Sequence, residues 1–238
     1  MATLSVEKNG VPVTTVEQWK KEFIALKKKN DIQWKDGHSA KELAVRVLDG
    51  RFEKSLRSVL SANNSIVFGK AEFEKETKFD NFSSSRAHDL SFIGKIEDKK
   101  IAFSIEAKCD EDFYQTLNKA MTGNPEKSNK PARVDNLCLK LFGKKYDDSL
   151  GGIFYQLLYS VYGTVKYAVE NNASEADFVV YQINSEPAKE KNACKKHLKA
   201  VNEFLQAVNP NLQMQSNSKV FLGTFDNIAT YVVFIETE

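Results

Sequence analysis

Three residues of this sequence have types and spacing that could do chemistry together: Asp89, Glu106 and Lys108. Glu106 and Lys108 end an alternating segment in which Ile101, Phe103 and Ile105 interleave with Ala102 and Ser104. In a β-strand that period-two pattern turns the apolar trio toward a core and puts Glu106 and Lys108 together on the opposite face. The preceding segment, His88 to Ile93, also reads as a strand, with Asp89, Ser91 and Ile93 on one face. If the intervening turn centres on Glu97-Asp98, the numbers of opposed residues sum to 195, and Asp89 lies across from Glu106. Directly opposed side chains share a face with Cβ atoms roughly 4.5–5.5 Å apart.

Two carboxylates so placed repel one another, and a divalent cation reverses that sign. Mg²⁺ takes an oxygen shell and needs only one or two carboxylates. Asp89, Glu106 and the main-chain carbonyl of Ala107 are the candidate ligands, with Mn²⁺ as a substitute ion. Lys108 would stand beside the reacting group and could stabilise negative charge developing on a phosphorus centre, or help to orient or deprotonate a nucleophile. The string Glu-x-Lys alone decides little, because the chain also has Glu76/Lys78 and Glu97/Lys99. Only Glu106/Lys108 closes an apolar strand with an acid placed opposite. The competing reading is a solvent-facing salt bridge on a half-buried sheet.

These residues must be positioned by the rest of the chain. It has 238 residues, enough for one large or two small domains, and 42% of them are hydrophobic, so a sizeable core is available. The formal charge of +2 makes a polycation unnecessary, and any attraction for a polyanion must come from local clusters. Cys109, Cys138 and Cys194 have neither zinc-site spacing nor an even count, which fits a reducing compartment better than a disulfide framework. No signal peptide is evident. The apolar stretch Ile153–Val169 is interrupted by Gln156, Ser160, Gly163, Thr164 and Lys166 and reads as a buried helix, so a soluble, cytoplasmic protein is expected.

Periodicity predicts helices over Val16–Lys29, from Ser39 onward, over Arg51–Ala62, Gly152–Asn171 and Pro187–Val208. Ser39 with Glu42 reads as a capping box. Extended segments are predicted at Ile66–Phe68, Ala71–Phe79, Phe178–Ile183, Val220–Thr224 and Thr230–Ile235, and loops at Asn81–Ser85 and over 122–136. The whole reads as one mixed α/β domain over 1–238, helical to about residue 63.

The run HDL followed by IAFSIEAKCDE resembles the core of the PD-(D/E)XK, restriction-endonuclease-like superfamily. In that family an Asp on one strand is paired with Glu-x-Lys at the end of the next; the matching positions are Asp89, Glu106 and Lys108, with His88 in place of the namesake Pro. WKDGHSAKELA and FYQLLYS add similarity to a poorly characterised bacterial branch, so the resemblance spans roughly residues 34 to 182. It implies a mixed central sheet flanked by helices, Mg²⁺-dependent hydrolysis of phosphodiester bonds, DNA as substrate, and settings such as defence, restriction or repair. Pairing into a homodimer is compatible with it, as is a module that keeps the fold without turnover. It also implies a metal-reaching Glu on an earlier helix, for which Glu42 is the match, against its reading as a capping acid. Gln156 with Tyr159 approximates a Gln-x-x-x-Tyr pair one residue short, and Gln156 could meet a substrate phosphate or support Lys108.

Weaker candidates are Glu111 beside the motif and the run Glu72, Glu74, Glu76, which reads better as a solvated edge. Nucleic-acid contact is expected from the loop Lys127–Arg133, with Lys130 and Arg133, and from the helix face Lys189, Lys191, Lys195, Lys196 and Lys199. A solvated lysine face is the ordinary alternative. His38 and His197 have no ligand spacing.

Overall fold

The computed structural model describes residues 4–26, 30–60, 65–82, 85–122, 128–184 and 187–237, and of residue 30 and residues 187–191 the backbone alone. The chain opens with a hairpin, β1 (Val6–Lys8) and β2 (Val11–Val13). Its turn, Asn9-Gly10, has φ of 52° and 79°, the left-handed pair that a two-residue hairpin loop requires. Helices α1 (Val16–Leu26), α2 (Asn30–Gln33), α3 (Ser39–Leu48) and α4 (Arg51–Val59) follow. Gly50, with φ of 84°, makes the left-handed break between α3 and α4. Then come β3 (Val67–Phe68), β4 (Ala71–Thr77), β5 (Arg86–Ile96) and β6 (Lys99–Lys108). The chain continues with α5 (Leu117–Met121), α6 (Lys130–Phe142), α7 (Tyr155–Glu170), β7 (Glu175–Gln182), α8 (Pro187–Val208), β8 (Ser218–Phe225) and β9 (Ile228–Glu236).

The strands form one sheet in the order β2-β1-β4-β5-β6-β7-β9-β8, with β3 on β5. β5 is antiparallel to both its neighbours, β4 and β6, whereas β6, β7 and β9 run parallel. Both parallel connections carry helices on one face, as right-handed crossovers that step the same way along a sheet must. Phe178 and Val180 of β7 pack with Leu157, Val161 and Val201 from α7 and α8. Phe103, Ile105 and Val179 turn the other way, onto Leu43, Phe52 and Leu56 of α3 and α4. Every residue of β7 is buried, as expected of a parallel strand covered on both faces.

The mixed α/β architecture expected from the pattern is thus present, with two departures. The N-terminal part is not purely helical, since β1 joins the sheet beside β4 in parallel. The stretch predicted as loop over 122–136 holds the start of α6. Pro131 sits in its first turn, where the missing N–H breaks no helical bond, and Val134, Leu137, Cys138 and Leu141 form its buried stripe. Residues 27–29 and 61–62, where two predicted helices were to end, lie outside the described residues, as do residues 123–127. The three cysteines are free and buried. Among the described residues no helix is long and apolar enough to cross a membrane.

Candidate functional site

The register is the one the sequence implies. Pairs run from Ile96↔Lys99 to Leu90↔Ile105, each summing to 195, with Glu97-Asp98 as the turn. At Asp89 the main-chain ladder gives way, and the Asp89 carboxylate itself accepts the Ala107 N–H at 2.8 Å. The side chain therefore satisfies an amide that would otherwise lose its partner where the strands part.

On its other side Asp89 faces Glu74, between the pairs Phe73↔Leu90 and Lys75↔His88. Glu74 has φ of 47°, sparsely populated for a side chain of its size. The two strands step together here, so the register survives while the facing of β5 changes. Leu90 and Phe92 pack on the α3/α4 side. His88, two residues earlier, packs instead on α7: its ring bonds the Ser160 carbonyl at 3.0 Å and lies against Gly163. Asp89 thus leaves the face shared by Ser91 and Ile93 and enters the gap at the strand ends. Lys8 fastens the step, donating from Nζ to the carbonyls of Phe73 (2.8 Å) and Glu74 (2.9 Å).

Glu106 and Lys108 lie on the face opposite the apolar trio, as expected, but that face is covered by α7. Glu106 is 3% exposed and Lys108 6%, so the solvent-facing salt bridge is ruled out. Glu106 accepts from Lys108 Nζ at 3.1 Å, from Gln156 Nε2, and from the Arg86 guanidinium. Burial works to raise its carboxyl, but Arg86 and Lys108 outweigh burial and hold it below the usual range. Asp89 behaves oppositely: burial, then the charges of Glu106 and Glu74, push its carboxyl well above the ordinary value. Neighbouring carboxylates driven apart in this way mark a site short of positive charge on the Asp89 side.

Gln156 acts through Glu106 and not directly on Lys108. Its Oε1 accepts the Tyr114 N–H at 3.2 Å, which aims the Nε2 donor at Glu106. Tyr159, one turn on, carries the Arg86 guanidinium over its ring at 4.9 Å. The His88 imidazole is buried and neutral, its pKa lowered to about 3 by desolvation and by Arg86. Gly163 lets this packing close: a Cβ there would sit 3.0 Å from His88 Cε1 and 3.5 Å from Arg86 Cγ. Gly163→Ala is therefore expected to lower stability by about 1–3 kcal/mol, since the bonded ring cannot retreat. An unchanged urea midpoint would show that His88 has room to move.

A cavity of about 370 Å³ opens at the strand ends, with Asp89, Lys108, Glu74 and Glu111 on one wall and Trp19 and His38 on the other. Glu111 accepts the Cys109 N–H at 3.0 Å, and Gln182 donates to the Cys109 carbonyl at 2.8 Å, which fixes the loop leaving β6. Glu42 accepts the Gly37 N–H at 3.2 Å and serves as a capping acid, with His38 and not Ser39 as the N-cap. Arg133 is bound to Asp80 and stacked on Phe79 and Phe82, so it is part of the packing. Lys130 lies over the exposed Tyr114 ring at 5.8 Å, on the Gln156 side of the site. Lys195, Lys196 and Lys199 are exposed, Lys196 pairing with Asp112 and Lys199 with Glu203. Lys127 and the side chains of Lys189 and Lys191 lie outside the described residues.

Arg86 was not picked out from the sequence, and Glu74 only as a weak candidate within the acidic run Glu72, Glu74, Glu76. Period-two reading carries through β5 from Leu90 and cannot show that its facing changes at Asp89. Among the described residues no three His, Cys, Asp or Glu side chains form a ready metal-holding group. The oxygen donors at hand are Asp89 and Glu106, with Glu74 across the strand.

No curated protein and no solved structure matches the chain. A family described as a domain of unknown function (DUF6946) matches residues 12–238, and the chain belongs to that family.

Proposed function

We propose that this protein is a metal-dependent nuclease of the PD-(D/E)XK type that hydrolyses phosphodiester bonds of DNA. The observation that carries the reading is the meeting of Asp89, Glu106 and Lys108 at the point where β5 and β6 part, with Asp89 seated on the Ala107 amide. The donor set fits Mg²⁺, with Mn²⁺ as a substitute: oxygen only, two carboxylates, and an Asp89 whose raised carboxyl would be relieved by a cation. Asp89, Glu106 and the Ala107 carbonyl would hold the ion. When bound, it would neutralise phosphate charge and favour ionisation of a water nucleophile.

The chain's own residues supply the rest. Lys108 places an ammonium group beside the carboxylates, where negative charge grows during phosphoryl transfer. Gln156 fixes the rotamer of Glu106. The 370 Å³ cavity gives a substrate group a way in between the strand ends and α1.

One observation favours a second reading, a DNA-binding module without turnover: Arg86 already occupies Glu106. The two are separated by incubating the purified chain with supercoiled plasmid and with labelled oligonucleotides in Mg²⁺, Mn²⁺ or EDTA. Metal-dependent cleavage supports the nuclease. Binding without cleavage in every metal supports the module, and neither binding nor cleavage removes both.

A further inference from the structure

The strand ends that include Lys108 also border a second cavity of about 370 Å³, lined among others by Arg46, Arg51, Lys54, Ser55, Tyr181 and Glu236. Lys108 pairs in register with Gln182, and Gln182 with Glu236. Two strand spacings therefore separate the two places, about 10 Å. Helix α3 links them as well, since Leu43 borders the first cavity and Arg46, a turn further on, borders the second.

Arg46 is the unusual member. It is only 8% exposed, yet among the described residues it has no carboxylate within ion-pair distance. Among the described residues its Nε has no hydrogen-bond partner, and a terminal nitrogen makes a long contact, 3.4 Å, with the Asn184 carbonyl. A guanidinium taken out of water without an anion is unfavourable, and its planar fork matches phosphate oxygens. The charges around it do not fill the gap. Asp49, whose charge also reaches Arg46, is bound to Arg51 at 2.6 Å, Lys54 is exposed, and among the described residues the one acid of the wall, Glu236, interacts with the Cys194 thiol. The Tyr181 and Ser55 hydroxyls also line this wall, the Ser55 hydroxyl donating to the Arg51 carbonyl at 3.0 Å.

We propose that this cavity is a phosphate-binding subsite in which Arg46 grips a phosphate group, assisted by Lys54 and the Tyr181 hydroxyl. The cavity stands without the nuclease reading; only the assignment of that phosphate to a polynucleotide rests on it. A separation of about 10 Å, about three base steps of rise along a duplex axis, is within the reach of one strand.

The test uses the full chain in EDTA, so that no cleavage intervenes, with inorganic phosphate and a fluorescein-labelled oligonucleotide as probes. Phosphate is expected to raise the melting temperature of the wild type in a dose-dependent way and to have no such effect on Arg46→Gln. Oligonucleotide affinity, read by anisotropy, should fall about ten-fold in Arg46→Gln, with a shallower salt dependence, by about one in the log–log slope. Lys54→Ala, at an exposed position, should weaken both probes less and guards against a folding defect in the Arg46 variant. If phosphate responds to Arg46 while the oligonucleotide does not, the subsite stands with a free phosphate or a small phosphorylated molecule as its occupant. Indifference of both probes to both substitutions overturns it. Metal-dependent cleavage is read in a separate assay, so its failure leaves this result intact.

Discussion

Lys108→Ala, assayed with Mg²⁺ on plasmid DNA, is expected to cleave about 10²–10³ times more slowly than the wild type. The substitution removes the one ammonium group beside both carboxylates, held by Glu106 at 3.1 Å and by the Phe113 ring at 5.4 Å. The fold should survive. Glu106 keeps Arg86 and Gln156, so the partner carboxylate is not left buried and unpaired, the condition that makes breaking an internal ion pair so destabilising. A thermal melt checks that part. A variant that folds and cuts at the wild-type rate would place the activity elsewhere in the preparation.

Asp89→Asn separates stability from chemistry. The amide oxygen can still accept the Ala107 N–H, so the local hydrogen bond persists. What disappears is a negative charge held near Glu106 and Glu74 in a poorly solvated gap. In EDTA the variant is therefore expected to be more stable than the wild type by about 0.5–2 kcal/mol, the usual size of such gains at functional sites. For a chain of this size that is about 2–4 °C per kcal/mol. Mg²⁺ or Mn²⁺ should then raise the melting temperature of the wild type, by about 2.7 kcal/mol of stability at a hundred-fold excess over Kd, and leave the variant unmoved. Differential scanning calorimetry with and without metal reads both effects. A variant that melts below the wild type in EDTA, or that responds to metal equally, would contradict this role for Asp89.

Much of the site was legible because a hairpin register is arithmetic. The turn at Glu97-Asp98 and the alternation through Ile101, Phe103 and Ile105 were enough to place Asp89 next to Glu106 and to put Lys108 beside it. What lay hidden was everything that depends on a break in alternation. At Asp89 and Glu74 both strands step together, His88 and Arg86 come round to α7, and an arginine unremarked in the sequence becomes the partner of Glu106. Covering by distant elements was equally hidden: a strand face with a Glu and a Lys reads as wet until α7 is laid over it. Composition misled at α6, where Pro131 and its polar neighbours mimic a loop although Pro is at home in a helix's first turn. The N-terminal hairpin was missed for a simpler reason, its strands being three residues each.

That short hairpin sets a schedule for assembly. The geometry around Asp89 depends on Lys8, whose acceptors, the carbonyls of Phe73 and Glu74, are 65 and 66 residues further along. During synthesis the lysine emerges first and must wait for its strand, then for β5 and β6, and for α7 to roof them. Closures over such distances in sequence are the slow ones in folding. The step at Asp89 and the cover over Glu106 therefore close later than the local hairpin that brings the two carboxylates together, and a nascent chain carries the parts of the centre before it carries the centre.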